Sequence, residues 1–160
     1  MKQYSLTGNK LHLKVKKTPF LVRIFLISLT SFIFLMPFIS AILIISSDSE
    51  FKLGNFLLFI FCGLVGFYFL RLTLWNIYGR EIIIFKENKF SYNTDYKWFK
   101  GKMQHLEINE PLEFGINPIG YEEDFKGALE ISSGELFFHC VTKMPEAELK
   151  ELIIELEFLK

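Results

Sequence analysis

The chain is poor in the residues that staple or metallate small domains. It has two Cys and three His in 160 residues. Cys62 lies inside an apolar run and Cys140 far from it, so both read as free thiols and a disulfide scaffold is excluded. The three His are scattered at positions 12, 105 and 139. His139 and Cys140 are neighbours in a strand-like segment, so their side chains point to opposite faces and do not share a metal. There is no glycine-rich phosphate loop before a helix, no H-E-x-x-H and no G-x-S-x-G. The reading is therefore not an enzyme, with no cofactor and no evident small-molecule substrate. Acids are missing from residues 1–23, which carry Lys2, Lys10, Lys14, Lys16, Lys17 and Arg23. The formal net charge is zero, yet residues 80–160 hold ten bases and sixteen acids. A net-acidic C-terminal half speaks against nucleic acid as a partner. Its densest acidic run, Glu122-Glu123-Asp124, reads as a solvated loop, because no glycine turn or further ligands follow at calcium-loop spacing.

Apolar side chains are abundant, at 51% of residues with 19 Phe, and this excludes disorder. They concentrate in two runs. Residues 20–45 contain one charge, Arg23, near the start, and residues 53–78 contain one, Arg71, near the end. A hydrocarbon core of about 30 Å needs roughly 20 helical residues, and both runs supply that length. The first run is too long for the apolar region of a signal peptide, and no small-x-small cleavage site is well placed after it. Apolar residues occupy every face of both helices, which does not suit a soluble core. Trp75 and Tyr78 are the amphipathic aromatics that mark a membrane–water boundary, and Arg71 can extend its head to the same level. The short polar linker 46–52 makes the pair a helical hairpin. Pro37 removes one backbone donor inside the first helix and predicts a kink. Six bases in residues 1–23 against Lys52 alone in the linker put both termini in the cytoplasm and 46–52 outside.

From Arg80 the period changes to that of strands. Residues 81–86 and 89–96 read as a hairpin around Glu87-Asn88, with Phe90, Tyr92, Thr94 and Tyr96 on one face and Ser91, Asn93 and Asp95 on the other. Trp98-Phe99 and Lys100-Gly101-Lys102 read as a turn, followed by strands at 103–109 and 112–116 and a loop or short edge strand over 117–124. Residues 127–132 and 135–141 form a second hairpin across Ser133-Gly134. A helix opens at Pro145, its start favoured by Glu146 and Glu148, and Leu149, Leu152, Ile153, Leu156 and Leu159 recur at helical spacing. The organisation is thus a basic N-terminus (1–19), a first span (20–45), an external linker (46–52), a second span (53–78) and a mainly-β cytoplasmic domain (79–160). That domain holds six or seven antiparallel strands capped by a C-terminal helix.

Two spans followed by such a domain resemble the bacterial membrane proteins that carry a pleckstrin-homology-like (PH-like) domain. The resemblance rests on Leu74-Trp75-Asn76-Ile77-Tyr78-Gly79-Arg80-Glu81 running out of the second span into the first strand, on the hairpin from Gly127 through Gly134, and on the helix beginning near Pro145. It implies a seven-stranded barrel or sandwich with a helical cap in a multi-pass protein of the inner (cytoplasmic) membrane. It does not imply a ligand, because the fold hosts many functions.

Two basic features have the residue types for headgroup contact. The first is Lys14, Lys16, Lys17 and Arg23 beside the first span, which positive-inside topology alone also explains. The second is Lys86, Lys89, Lys97, Lys100 and Lys102 in the first hairpin and the following turn. Members of the PH-like family often bind inositol phosphates through bases in their first strands. Here Lys100-x-Lys102 stands where Lys/Arg-x-Arg is usual, and a lysine binds phosphate less specifically than the arginine fork. A solvated face is the competing reading. Trp98 and Phe99 either sit at the interface with Lys97, Lys100 and Lys102, or belong to the core or a protein-binding patch. The functional expectation is a membrane-anchored interaction module that binds a protein partner or lipid headgroups. The alternative is a small accessory subunit of a larger membrane complex.

Overall fold

The computed structural model describes residues 2–47, 52–86, 89–108, 110–119 and 125–158. The backbone divides into two units, Met1–Lys16 with Tyr78–Lys160, and Lys17–Ile77. The β domain is therefore discontinuous in sequence. Residues 1–19 read from sequence as a basic flank outside the domain, but Tyr4–Thr7 (β1) and Lys10–Lys14 (β2) are its first hairpin. The turn between them places Gly8 at φ +56°, a left-handed conformation that glycine adopts without strain. Leu11 and Leu13 are fully buried, while Lys10, His12 and Lys14 alternate with them on the other face. A five-residue strand carrying three basic or imidazole side chains looks like a charged tail until its two leucines find a core.

Strands β3 (Arg80–Lys86), β4 (Lys89–Asp95) and β5 (Gln104–Glu107) complete an antiparallel sheet ordered β1-β2-β3-β4-β5. Strands β6 (Glu113–Pro118), β7 (Lys126–Ser133) and β8 (Leu136–Pro145) form a second antiparallel sheet, and helix α3 (Glu146–Glu157) packs on it. From Arg80 onward six strands are described, as the alternation predicts, and β1 and β2 bring the described total to eight. Strand β8 runs on to Pro145, so Pro145 precedes the helix instead of opening it. Leu149, Leu152 and Leu156 of the apolar stripe are buried in a core shared with Leu13, Ile83 and Phe90. Leu159, the Glu87-Asn88 turn, Asn109 and most of the expected 117–124 loop, with its acidic run, lie outside the described residues. Ser91 and Asn93, which the alternation in β4 sets on the face opposite Phe90 and Tyr92, are buried as well. Their neighbours across β3 are Ile84 and Ile82 instead of polar residues, and the Ser91 hydroxyl lies 2.8 Å from His105 Nδ1.

Glu81 joins the two sheets. It lies in β3 between Leu13 and Thr94 and is wholly buried. Its Oε1 accepts hydrogen bonds from the Tyr92 hydroxyl at 2.6 Å and the Val141 amide at 2.8 Å, and its Oε2 accepts one from the Thr142 amide at 2.7 Å. The amides belong to an irregular stretch of β8. The β7–β8 register shifts between Ala128 and Glu130, so Cys140, Val141 and Thr142 share the space opposite Leu129. A buried carboxylate is costly unless donors surround it, and the irregularity supplies two. Burial, and then the Glu81 charge, push the Tyr92 phenol far above its usual range, which keeps it a donor. Burial and then Glu81 likewise push the Cys140 thiol up.

The second unit, Lys17–Ile77, holds α1 (Phe20–Ser46) and all of α2 (Leu53–Tyr78) but its last residue. Both helices are long and apolar enough to cross a membrane, and only 11% of either apolar window is buried. A core helix of a soluble protein would be mostly buried. Thr30 and Thr73 hydroxyls meet at 3.0 Å, Phe34 covers Gly66, and Phe38 meets Phe59 edge-on at 5.7 Å. Contact positions rise along α1 as they fall along α2, so the helices are antiparallel. Thr30 returns a hydrogen bond to the Leu26 carbonyl, which satisfies its hydroxyl without water. Gly66 allows the approach, since a Cβ there would meet the Phe34 ring at 3.0 Å. Helix α1 continues through the buried Pro37.

Two outcomes follow from this packing. Leu13→Asp places an unpaired charge in the core and should cost about 3–5 kcal/mol, enough to unfold a domain of this size. Protease resistance of the β domain in detergent-solubilised full-length protein measures it, and a free basic tail would tolerate the change. The alkaline limb is the second. Unfolded Cys140 and Tyr92 ionise near their ordinary values of 9.0 and 10.0, whereas the folded groups resist. Their contribution to stability is intact below the lower value and falls as pH rises through both. Denaturant titrations at stepped pH should show Cys140→Ala delaying the onset of that fall by about one unit.

Candidate basic site at one end of the five-stranded sheet

The chain leaves the β domain after β2 and returns to it at β3, and these two strands are antiparallel neighbours. The Val15 amide donates to the Gly79 carbonyl at 3.1 Å, so the ladder extends to the last residues on either side of the helical segment. At this end Lys14 lies opposite Arg80, Arg80 opposite Asp95, and Asp95 bridges to Lys100. Directly opposed residues share a face of a sheet, so these four side chains form one row.

The turn beside that row is built by backbone hydrogen bonds. Tyr96 donates to the Phe99 carbonyl at 3.0 Å and Gly101 to the Thr94 carbonyl at 2.7 Å. Gly101 is required there, because a side chain would collide with Thr94. Asp95 Oδ1 accepts from the Lys97 amide at 2.8 Å and holds Lys97 at φ +74°, where a side chain is strained. That conformation sets the Lys97 ammonium 4.3 Å above the Tyr78 ring, a cation–π contact. Trp98 projects from the turn and is 71% exposed. Phe99 stacks on the buried Tyr96 at 4.7 Å and belongs to the turn's own packing.

The two basic features of the sequence are thereby regrouped. Lys14, from the first, joins Lys97 and Lys100, from the second. Lys86 and Lys89 pair with each other at the far end of β3 and β4, with Glu107 opposite Lys89. Lys102 is exposed just beyond the turn, and Lys16 closes the N-terminal segment of the β unit. Lys17, Arg23 and Trp75 belong to the helical unit. Arg80, read from sequence only as a charge after the second span, is central to the row. No local pattern reveals it, because its partner Lys14 lies beyond two helices. Among the described residues no carboxylate lies within ion-pair distance of Lys14, Arg80, Lys97, Lys100 or Lys102.

His139 and Cys140 diverge as the strand geometry predicts, with Cys140 buried and His139 exposed. His139 Nδ1 lies 3.1 Å from Glu130 and 3.2 Å from the Asn117 amide. Among the described residues no three His, Cys, Asp or Glu side chains converge as a metal site.

Lys97→Gly separates strain from contact. Glycine removes the left-handed penalty, so the domain should hold its stability or gain up to about 1 kcal/mol. The same change deletes the cation over Tyr78, and phenolic absorbance of Tyr78, compared in Lys97→Gly and in Lys97→Gly/Tyr78→Phe, should report the altered environment.

In comparison with known proteins, no family profile and no curated sequence matches this chain.

Proposed function

We propose that the chain is a membrane-anchored interaction module: a PH-like β domain carried at the cytoplasmic surface of the inner membrane on a two-helix hairpin. The observation that carries this reading is the insertion of Lys17–Ile77 between adjacent strands, with Val15 hydrogen-bonded to Gly79. A segment that leaves and returns at one point crosses a bilayer an even number of times. Both sequence termini then share one side, and the lysines at 14, 16 and 17 with Arg23 select the cytoplasmic side over the linker with Lys52. A larger antiparallel sheet, a three-stranded sheet and a C-terminal helix support the PH-like assignment, with eight described strands where the resemblance implies seven. Binding, not catalysis, is the role this reading gives the domain, and its exposed turn and basic row are the surfaces offered.

Single-cysteine variants test the topology in intact cells, with both native thiols replaced. Ser47→Cys should react with an impermeant thiol reagent. Asn9→Cys and Glu135→Cys, in the two separated parts of the β domain, should react only after permeabilisation. Asn9→Cys and Glu135→Cys on opposite sides would end the reading.

A further inference from the structure

We propose that Asn117, Glu130 and His139 form a binding site for a divalent transition-metal cation of the Zn²⁺ class. The three stand on adjacent strands of the smaller sheet, β6, β7 and β8. Glu130 lies directly opposite His139 on one side and Gly115 on the other, and Asn117 follows Gly115 by two residues. All three side chains therefore share the face turned away from Ile131 and Phe138 in the core. Glu130 and His139 are also the last regular pair before the β8 irregularity, and such bulges re-aim the side chains beside them. The inference goes beyond the interaction-module reading and does not depend on it.

His139 Nδ1 meets two partners that ask opposite things of it. It lies 3.1 Å from Glu130 Oε2, which only accepts, and 3.2 Å from Asn117 Nδ2, which only donates. With a proton, Nδ1 suits Glu130 and opposes the amide hydrogens. With a lone pair, it suits Asn117 and opposes the carboxylate. Half a turn of the amide puts Oδ1 in place of Nδ2, and the Nδ1 lone pair and two oxygens are then gathered at one place. One proton serves such a set poorly, whereas a cation with nitrogen and oxygen ligands at about 2.0–2.2 Å serves all three. Ligands at that length stand roughly 3.0–3.4 Å apart in octahedral or tetrahedral arrangement. Both contacts at Nδ1, 3.1 and 3.2 Å, fall in that interval. Gly115 keeps the neighbouring space open, since a Cβ there would stand 3.8 Å from Glu130 Oε1. Glycine inside a strand weakens it and marks a place of close approach. A surface ion pair accounts for Glu130 and His139, but not for the amide on the same nitrogen or for Gly115 beside them. The His139 and Glu130 side chains are 49% and 27% exposed, so water completes the coordination. Imidazole nitrogen selects the Zn²⁺ class over Mg²⁺, which takes oxygen ligands. Cys140, buried on the other face, takes no part.

Tag-free full-length protein in detergent, stripped with a chelator, is titrated with ZnCl2 in a calorimeter. Binding should be saturable at a single Zn²⁺ per chain, and MgCl2 at the same concentrations should give no binding. Groups that merely orient metal ligands are worth about 10–100-fold in affinity, so His139→Gln and Glu130→Gln should each weaken Zn²⁺ binding by at least about tenfold. His12→Gln/His105→Gln, which removes the other two imidazoles, should leave it unchanged. Asn117→Asp replaces the amide oxygen by an anionic one and should tighten binding severalfold. That gain separates a ligand from a structural hydrogen bond, which the same change does not improve, and it does not arise in a protein that has failed to fold. The proposal is overturned by a parent protein without saturable Zn²⁺ binding or with equal affinity for Mg²⁺. Binding that survives His139→Gln, or that disappears in His12→Gln/His105→Gln, overturns it as well, and so does an Asn117→Asp variant that binds Zn²⁺ no more tightly than the parent.

Discussion

The buried carboxylate of Glu81 is the interaction on which the β domain depends. It sits where the five-stranded sheet meets the three-stranded one and accepts three hydrogen bonds, two of them from backbone amides of β8. A regular β8 would leave those amides to β7 and the carboxylate with the Tyr92 hydroxyl alone of its three donors. The irregularity opposite Leu129 and the carboxylate therefore require one another. Removing either leaves buried polar groups unpaired, each costing on the order of 1–3 kcal/mol. Tyr92 completes the set, and its ring also lies 4.7 Å from Phe138, so the polar clamp is tied directly into aromatic packing.

Glu81 is also the second residue of the strand that follows α2. The element that locks the two sheets together thus begins where the chain returns from the helices. On its other flank β3 pairs with β2, the last strand before the helices. The domain is closed by a ladder whose two strands are separated by 65 residues of sequence, Lys14 to Arg80 at its end. Loop-closure entropy is lost before that pairing gives any return, and a preformed helical hairpin shortens the effective loop. Thr30–Thr73 and Phe34–Gly66 contacts supply such a hairpin.

The same ladder decides the electrostatics. Charge in this chain looks segregated along the sequence, basic at the start and acidic toward the end. In three dimensions Lys14, Arg80 and Lys100 gather at one end of a sheet, and α3 reaches the N-terminal strand there, with Glu148 accepting the amide of Gln3, itself hydrogen-bonded to Lys14, and Glu155 the Tyr4 hydroxyl. Part of the acidic C-terminal helix therefore serves to hold the basic N-terminus in place.

Local physics made much of this legible in one dimension. Two uninterrupted apolar runs, strand alternation after Arg80 and the Leu149/Leu152/Leu156 stripe each depend on neighbours within a few residues, and the helices and most strands appear where those patterns lie. The N-terminal hairpin carried a signal too, Gly8-Asn9 between short alternating segments, but its charge matched a topogenic flank equally well. Burial of Leu11 and Leu13 separates the two cases, and burial is a property of the assembled core. Likewise the alternation sets Ser91 and Asn93 on the face opposite Phe90 and Tyr92, and only the assembled structure shows that both are buried there. The sequence by itself determined which segments are helices, which are strands and where apolar length suffices for a membrane, because those are short-range properties of the chain. Tertiary structure alone decided that β2 meets β3, that Glu81 meets β8 and that Lys14 meets Arg80, because each requires a partner whose distance along the chain leaves no local trace.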